Sequence, residues 1–240
     1  LRFVTQEESE SLPRYLDKTV AVSPDLAVNA LMLEMQRVAG MARSMALQAL
    51  GHELSIGKRM ASNFQALSKL ASAIADFVAM IERGVLGRDI SAQLRGILSA
   101  GQYLLIGAEE AVAIVREQTD ISALGDIDLR EMVSEFHADA IKLVQLVNPE
   151  DAAFSYADCV VRLEQMQTDY ESVKFALMQA GSELRVPIPL IIDIVDQNSR
   201  IRRMCRQLVR AMELLDEIPR IGDDEWVDDS SPVTVDESGS

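Results

Sequence analysis

The sequence predicts an all-α protein built from six long helices. Apolar residues recur at alternating steps of three and four along six separate stretches, which places each set on one stripe of a helix. Aromatic residues make up only 5% of the chain, and Gly and Pro number 12 and 7, so the aromatic side chains and tight turns of a β-sandwich are scarce. The first stripe consists of Val28, Leu31, Met35, Val38, Ala42, Met45 and Ala49.

Five further stripes have the same spacing. Because stripes of this kind favour near-parallel packing between neighbouring helices, we expect a helical bundle with short connections. The stripes lie within residues 60–81, 90–115, 129–147, 156–180 and 191–215.

Residues that start or stop helices separate the stripes. Ser23 followed by Pro24 predicts a helix N-terminus with proline in the first turn. Glycine and proline between the other stripes predict that each helix ends there. These signals are Gly51, Gly84, Gly87, Gly125, Asn148-Pro149, Pro187 and Pro189.

The predicted organisation is two tandem three-helix repeats between two terminal segments. Residues 1–24 are expected to form an extended lead-in, 25–119 the first repeat, 126–218 the second, and 219–240 a disordered acidic tail. An offset of 98 residues aligns apolar residues of the third helix with those of the sixth, which favours a repeat. The aligned pairs are Leu86/Leu184, Ile90/Ile188, Leu94/Ile192, Ile97/Val195, Tyr103/Ile201 and Ile106/Met204.

The charge balance excludes two classes of partner. The formal net charge is −15, and nine acidic residues from Asp216 onward face a single base, Arg220. Nucleic acids and anionic lipid headgroups are bound by basic surfaces, so we expect neither as a partner.

Composition also indicates where the chain resides. No run of about 18 apolar residues occurs, so no segment of this chain is expected to enter a bilayer, and no signal peptide is predicted. Cys159 and Cys205 are expected to be buried, reduced thiols rather than a disulfide or a nucleophile. The chain begins at Leu1 instead of Met, which suggests a fragment of a longer protein or a processed chain.

The lead-in and the order of helices resemble a known family. Pro13-Arg14-Tyr15-Leu16-Asp17, followed after a short gap by Ser23-Pro24-Asp25-Leu26-Ala27, is similar to the segment that opens the cytoplasmic PhoU-like domain of bacterial Na+/phosphate cotransporter family proteins. The resemblance covers residues 12–217. It implies a regulatory domain, not an enzyme, at the cytoplasmic face of the cell membrane.

The resemblance also implies partners. They are the membrane transporter domain of the same polypeptide or a transporter in trans, with a second copy of the chain as a further candidate. A free-standing PhoU-type phosphate-signalling adaptor, which binds a transporter and a sensor kinase, is the alternative. A coding sequence for apolar spans upstream of Leu1 would distinguish the two.

The chain departs from the family at its metal-binding positions. PhoU proteins hold multinuclear metal clusters with pairs of acidic residues four apart on one helix face. No carboxylate stands at those places: most carry hydrophobic side chains, which cannot ligate a cation, or arginines, which repel one, so no metal or other cofactor is expected. The residues are Phe64 and Ser68 on the second helix, Leu104 and Ala108 on the third, and Arg202 and Arg206 on the sixth.

Neither histidine forms a recognisable catalytic or metal motif. His52 is expected in a solvated turn between the first two helices, and His137 has Asp139 two residues on, which places the two on different helix faces. Residues 84–87 lack the Lys-Ser/Thr of a phosphate-binding loop. We therefore predict no catalytic residue.

Five arginines on the sixth helix form the only unusual charge cluster. Spacings of four place several of them on one face. One interpretation is a solvated face paired with acids of the fifth helix such as Glu164, Asp169 and Glu171. The other is a site for an anion or an acidic partner, because guanidinium groups suit phosphate and carboxylate. The residues of the candidate site are Arg202, Arg203, Arg206 and Arg210, next to Arg200.

Overall fold

A computed structural model describes residues 11–17, 19–51, 57–81, 87–151 and 153–219. Within those residues the protein consists of six α-helices and two 3-10 turns, Val20–Val22 and Ile121–Ala123, with no strand. The predicted all-α class is therefore confirmed. The helices are α1 (Pro24–Leu50), α2 (Gly57–Ile81), α3 (Arg88–Arg116), α4 (Ile127–Leu146), α5 (Tyr156–Ser182) and α6 (Ile188–Asp216).

The helix boundaries follow the predicted signals with one difference. Ser23 precedes Pro24 at the start of α1, but its side chain makes no capping hydrogen bond. Two later helices do have side-chain caps: Asp126 accepts a hydrogen bond from the backbone N–H of Leu129, and Ser155 accepts one from Asp158. These bonds satisfy donors that the first helical turn leaves without partners.

The apolar stripes form the core, most completely in three helices. Every stripe residue of α1, α4 and α6 is buried. In α2 and α5 a few are only half-buried, among them Phe64, Ala71 and Leu163. The reason is position, since α2 packs on α1 and α3, and α5 packs on α4 and α6, at the outside of the bundle.

Helices α3 and α6 form the most extensive interface of the described chain. A glycine allows the close approach: a Cβ atom at Gly107 would lie 3.3 Å from Cδ2 of Leu208. Helix α1 packs on both α3 and α4. Its Arg43 donates hydrogen bonds to the carbonyls of Val144 and Gln145, which satisfies acceptors at the end of α4.

The register predicted for the repeat does not fit the burial of α3 and α6. An offset of 98 pairs buried Leu94 with Ile192, which is 54% exposed. An offset of 97 instead pairs Leu94 with Ile191 and Ile97 with Ile194, all four buried. One residue corresponds to about 100° around a helix, so a slip of one exchanges core and surface positions. The sequence did not reveal the correct offset, because α6 also has isoleucines on its exposed side.

Two helices pass a simple test for membrane spans. Contrary to the expectation from the sequence, α2 and α3 are long and apolar enough to cross a bilayer by length and composition. Core helices of bundles meet the same criteria, and 39% and 44% of the two apolar windows are buried in the protein. Their exposed sides carry polar residues such as Gln65, Lys69 and Glu109. This polar side is typical of a bundle helix with one face in water.

Several predicted features lie outside the described residues. They are His52, Gly84, Leu86, residues 1–10 and the acidic tail from residue 220 onward.

Candidate functional site

The arginine cluster lies on the side of α6 that runs between α3 and α5. Its members do not form one free basic face, because most of them reach towards one of the two neighbouring helices. Residues in the neighbouring sections of α3 and α5 accept hydrogen bonds from the arginines, and each arginine has different neighbours.

Arg200 and Arg203 are neutralised by acids of α3. Nε and Nη2 of Arg203 lie 2.8 and 3.3 Å from the two carboxylate oxygens of Glu110. Nη2 of Arg200 lies 2.8 Å from Glu117, and its Nη1 lies 3.5 Å from Glu110. The hydrogen bond to Glu110 raises the pKa of Arg203 above its ordinary value. Charge-assisted pairs of this kind hold the two helices in register.

Arg202 faces α5 instead. Its Nη1 donates a hydrogen bond to Gln167 at 3.1 Å, and its guanidinium carbon lies 4.5 Å from the ring centre of Tyr170. A guanidinium at this distance is attracted to the negative face of the ring. Arg202 is thus part of the α5–α6 packing, and its Nε is buried without a hydrogen-bond partner in the described protein.

Arg206 and Arg210 lie furthest from the α3 acids. Arg210 pairs with Glu213 one turn along α6, and hydrogen bonds to Glu213 and Tyr103 raise its pKa. Arg206 is exposed, and its guanidinium has no hydrogen bond or ion pair with any residue of the described ranges. Of the four predicted site residues, only Arg206 therefore presents an unengaged cation to solvent.

The acids that screen the cluster differ from those predicted. The sequence pointed to Glu164, Asp169 and Glu171 on α5, whereas the ion pairs are made by Glu110 on α3 and by Glu117, the residue that follows α3. On α5, Asp169 and Glu171 accept hydrogen bonds from glutamines of their own helix. Sequence spacing cannot show which neighbouring helix a face will meet, because pairs about 90 residues apart depend on tertiary packing.

A second polar group lies in the core and was missed at the level of the sequence. Nε2 of His137 lies 2.8 Å from Oδ1 of Asn198, and both residues are buried. Next to Asn198, Gln197 accepts a hydrogen bond from the backbone N–H of Thr119 at 3.1 Å. The only sequence signal was Asn198 itself, an amide within an apolar stripe, because a buried amide requires a partner.

His137 also borders a cavity. The cavity has a volume of about 680 Å³ and lies between α4 and the connection that follows α3. Its wall mixes apolar side chains with hydroxyl groups and the side chain of Asp120. It is lined by Leu50, Gln118, Thr119, Asp120, Ile121, Ser122, Ser134, His137, Ala138 and Ile141.

Both cysteines are buried, as predicted. Burial raises the pKa of Cys159 to about 11 and that of Cys205 to about 12. A thiol with so high a pKa carries almost no thiolate at neutral pH, and thiolate is the nucleophilic form.

The positions where the resembling family has acidic residues carry none here. Leu104 and Ala108 are buried apolar residues of α3, and Phe64 is half-buried on α2. Among the described residues no three His, Cys, Asp or Glu side chains form a group that could hold a metal ion.

Comparison with protein-family models, with curated protein sequences and with solved structures finds no match to this chain.

Proposed function

We propose that this chain is a regulatory PhoU-like domain that acts at the cytoplasmic face of the membrane on a Na+/phosphate cotransporter domain of the same polypeptide. The proposal rests on the lead-in segments Pro13–Asp17 and Ser23–Ala27 and on the order of six helices. The domain binds and regulates, and no residue is assigned a catalytic role.

The helix contacts support the two-repeat architecture that this proposal requires. Helices α1, α2 and α3 contact one another, as do α4, α5 and α6. The third helices of the two sets pack together, and so do the first helices. Such pairing of equivalent helices is what a duplicated three-helix unit produces when its two copies bury their apolar faces against each other.

Burial in the remaining helices is consistent with that duplication. Buried residues of α1 and α4 correspond at an offset of 98, and those of α2 and α5 at 99. Single-residue differences in offset arise when the connections between helices differ in length, since helix interiors tolerate insertions poorly. The matched pairs include Leu31/Leu129, Met35/Val133, Ala42/Ala140, Met60/Cys159, Leu67/Met166 and Val78/Leu177.

The binding surface that we propose is the arginine cluster, with Arg206 as its contact residue. The single observation that carries this assignment is the exposed, unpaired guanidinium of Arg206 between arginines that are already neutralised or packed. A guanidinium recognises carboxylate and phosphate oxygens through paired hydrogen bonds. The ligand class is therefore an anion or an acidic segment of the transporter.

Charge reversal at Arg206 tests this assignment. Because Arg206 has no partner among the described residues, Arg206→Glu should change the melting temperature by less than about 2 °C, as for other exposed substitutions. In the full-length protein that contains this chain, the variant should change phosphate uptake relative to the parent. Arg59→Glu is the matched control, since Arg59 is an exposed arginine at the start of α2 that has no ion pair with another described residue.

The outcomes separate the alternatives. Uptake that equals that of the parent and of Arg59→Glu would show that the arginine cluster is only solvated surface. A complete gene without apolar spans, together with capture of a separate transporter by the purified chain, would favour the free-standing adaptor instead.

A further inference from the structure

The lead-in is fixed to the bundle by a buried carboxylate. Glu34 lies in the middle of α1 and is 0% exposed. Its Oε1 accepts hydrogen bonds from the backbone N–H groups of Arg14 and of Tyr15, the latter at 2.7 Å. A carboxylate without partners is costly to bury, so these two donors account for its presence in a helix that is otherwise apolar on this side.

Arg37 completes the contact one turn further along α1. Its Nη1 lies 2.6 Å from Oε2 of Glu34 and 3.2 Å from the carbonyl oxygen of Leu12. Glu34 thus accepts hydrogen bonds from backbone N–H groups of this short stretch, and Arg37 donates one to a backbone carbonyl of the same stretch. Apart from the Arg37–Glu34 ion pair, these hydrogen bonds go to backbone atoms of residues 12–15, so the contact recognises the main chain rather than particular side chains.

The side chains of residues 12–16 make few contacts with the bundle. Leu12 and Tyr15 are 56% and 42% exposed, and only Leu16 packs partly against the core. Residues 12–15 form no helix or strand, and their main-chain donors and acceptors reach α1 through Glu34 and Arg37 alone among the contacts of the described chain. A segment held by one small cluster opens locally at far lower cost than global unfolding.

We propose that residues 12–17 form a releasable strap, that Glu34 and Arg37 are the latch that holds it on α1, and that the strap links the bundle mechanically to the part of the polypeptide before it. The last step rests on the proposed function, in which a transporter domain comes first. Docking of the strap fixes the distance between that domain and α1. Release of the strap lengthens the tether by the freed residues without unfolding a helix.

Hydrogen exchange measured by NMR on the 240-residue chain tests the latch. The amides of Arg14 and Tyr15 should exchange more slowly than an unstructured chain by at least about tenfold, because a hydrogen bond to a charged acceptor contributes about 1.5–3 kcal/mol. Glu34→Gln should remove most of that protection and leave the amide of Val38, inside α1, unchanged. Glu109→Gln, at an exposed glutamate of α3, is the matched control.

A second variant keeps the test valid if Glu34→Gln destabilises α1. Tyr15→Pro removes one of the two bound N–H groups without altering the core, since the side chain of Tyr15 is largely exposed. Exchange at Arg14 should then rise. Arg14 and Tyr15 amides that exchange at the unstructured rate in the parent, or an Arg14 amide that stays protected in both variants, would overturn the latch.

Transport by the full-length protein tests the mechanical link. Glu34→Gln should shift phosphate uptake, whereas Glu109→Gln should not. If the strap is released but uptake stays at the parent level while Arg206→Glu alters it, the link is wrong and the proposed function stands. If neither variant alters uptake, both proposals fail, although the exchange result for the latch is unaffected.

Discussion

At the scale of single residues, the charged and polar side chains of this protein differ chiefly in whether a neighbour satisfies them. Arg203, Glu34 and His137 each meet a partner that lies at least 19 residues away in the sequence. Arg206 meets none among the described residues. Because an unsatisfied buried polar group costs about 1–3 kcal/mol, the paired residues hold the structure together, whereas Arg206 is free to bind something else.

The two buried thiols predict how stability depends on pH. The pKa of a cysteine in the unfolded chain is near 9, and burial raises it to about 11 for Cys159 and about 12 for Cys205. Above pH 9 the unfolded chain releases thiol protons that the folded chain retains. Stability is therefore complete below pH 9 and falls as the pH rises from there towards 11 and 12.

Chemical denaturation at pH 8 and at about pH 10.5 checks this expectation. The free energy of unfolding should fall by about 1–2 kcal/mol for each thiol over that interval. Cys205→Ala serves as the control, because it removes one titrating group and should flatten the decline whatever its effect on stability at pH 8. An equal decline in the variant would assign the pH dependence to other groups.

At the scale of helices, glycines at two positions have opposite roles. Gly40 lies inside α1 with nothing within 4 Å of an added Cβ, whereas a Cβ at Gly181, near the end of α5, would lie 2.7 Å from Cδ1 of Ile191 and 3.0 Å from Cδ1 of Ile188. Gly40 therefore only weakens its helix, and Gly181 allows α6 to turn back closely on α5.

Alanine substitutions should separate these roles. Gly40→Ala is expected to raise the free energy of unfolding by about 0.5–1 kcal/mol through helix propensity. Gly181→Ala is expected to lower it by about 1–3 kcal/mol, because buried Ile191 must move. Thermal or urea denaturation of the two variants measures both values. A stabilised Gly181→Ala protein would show that the isoleucine side chains move aside at no cost.

Among the features of the helices, their boundaries were predicted best from the sequence. Proline, glycine or asparagine lies next to at least one end of each apolar stripe, because these residues act through local backbone geometry. The predicted offset between α3 and α6 was wrong by one residue. At either offset apolar residues align with apolar residues, but the predicted offset pairs buried residues with exposed ones.

At the scale of the whole molecule, the contrast between the helical region and the acidic tail predicts which part can be removed. The tail, residues 219–240, has seven acidic residues and a single tryptophan, Trp226. Such a composition offers too little apolar surface to offset the entropy of ordering. Deletion of residues 223–240 should therefore leave the circular dichroism spectrum helical and the melting temperature within about 2 °C of the parent. A fall of many degrees would instead assign the tail, with Trp226 as its anchor, a place on the bundle.

The sequence by itself determined the helical class, the limits of the helices and most of their buried faces. Those properties depend on spacing and on backbone preferences within a few residues, which can be read along the chain. Phe64 and Ala71 were predicted to be in the core and are half-buried, because the sequence does not show which helices are peripheral.

Only the tertiary structure decided which arginine is free, which acids screen the others and what Glu34 binds. Glu110 and Arg203 are 93 residues apart, and His137 and Asn198 are 61 apart. A polar side chain at such a separation finds its partner through the packing angle and register of helices, which depend on the whole core at once. The sequence could therefore place a guanidinium on a helix face, but only the packed bundle leaves Arg206 in solvent and covers Glu34 with the strap.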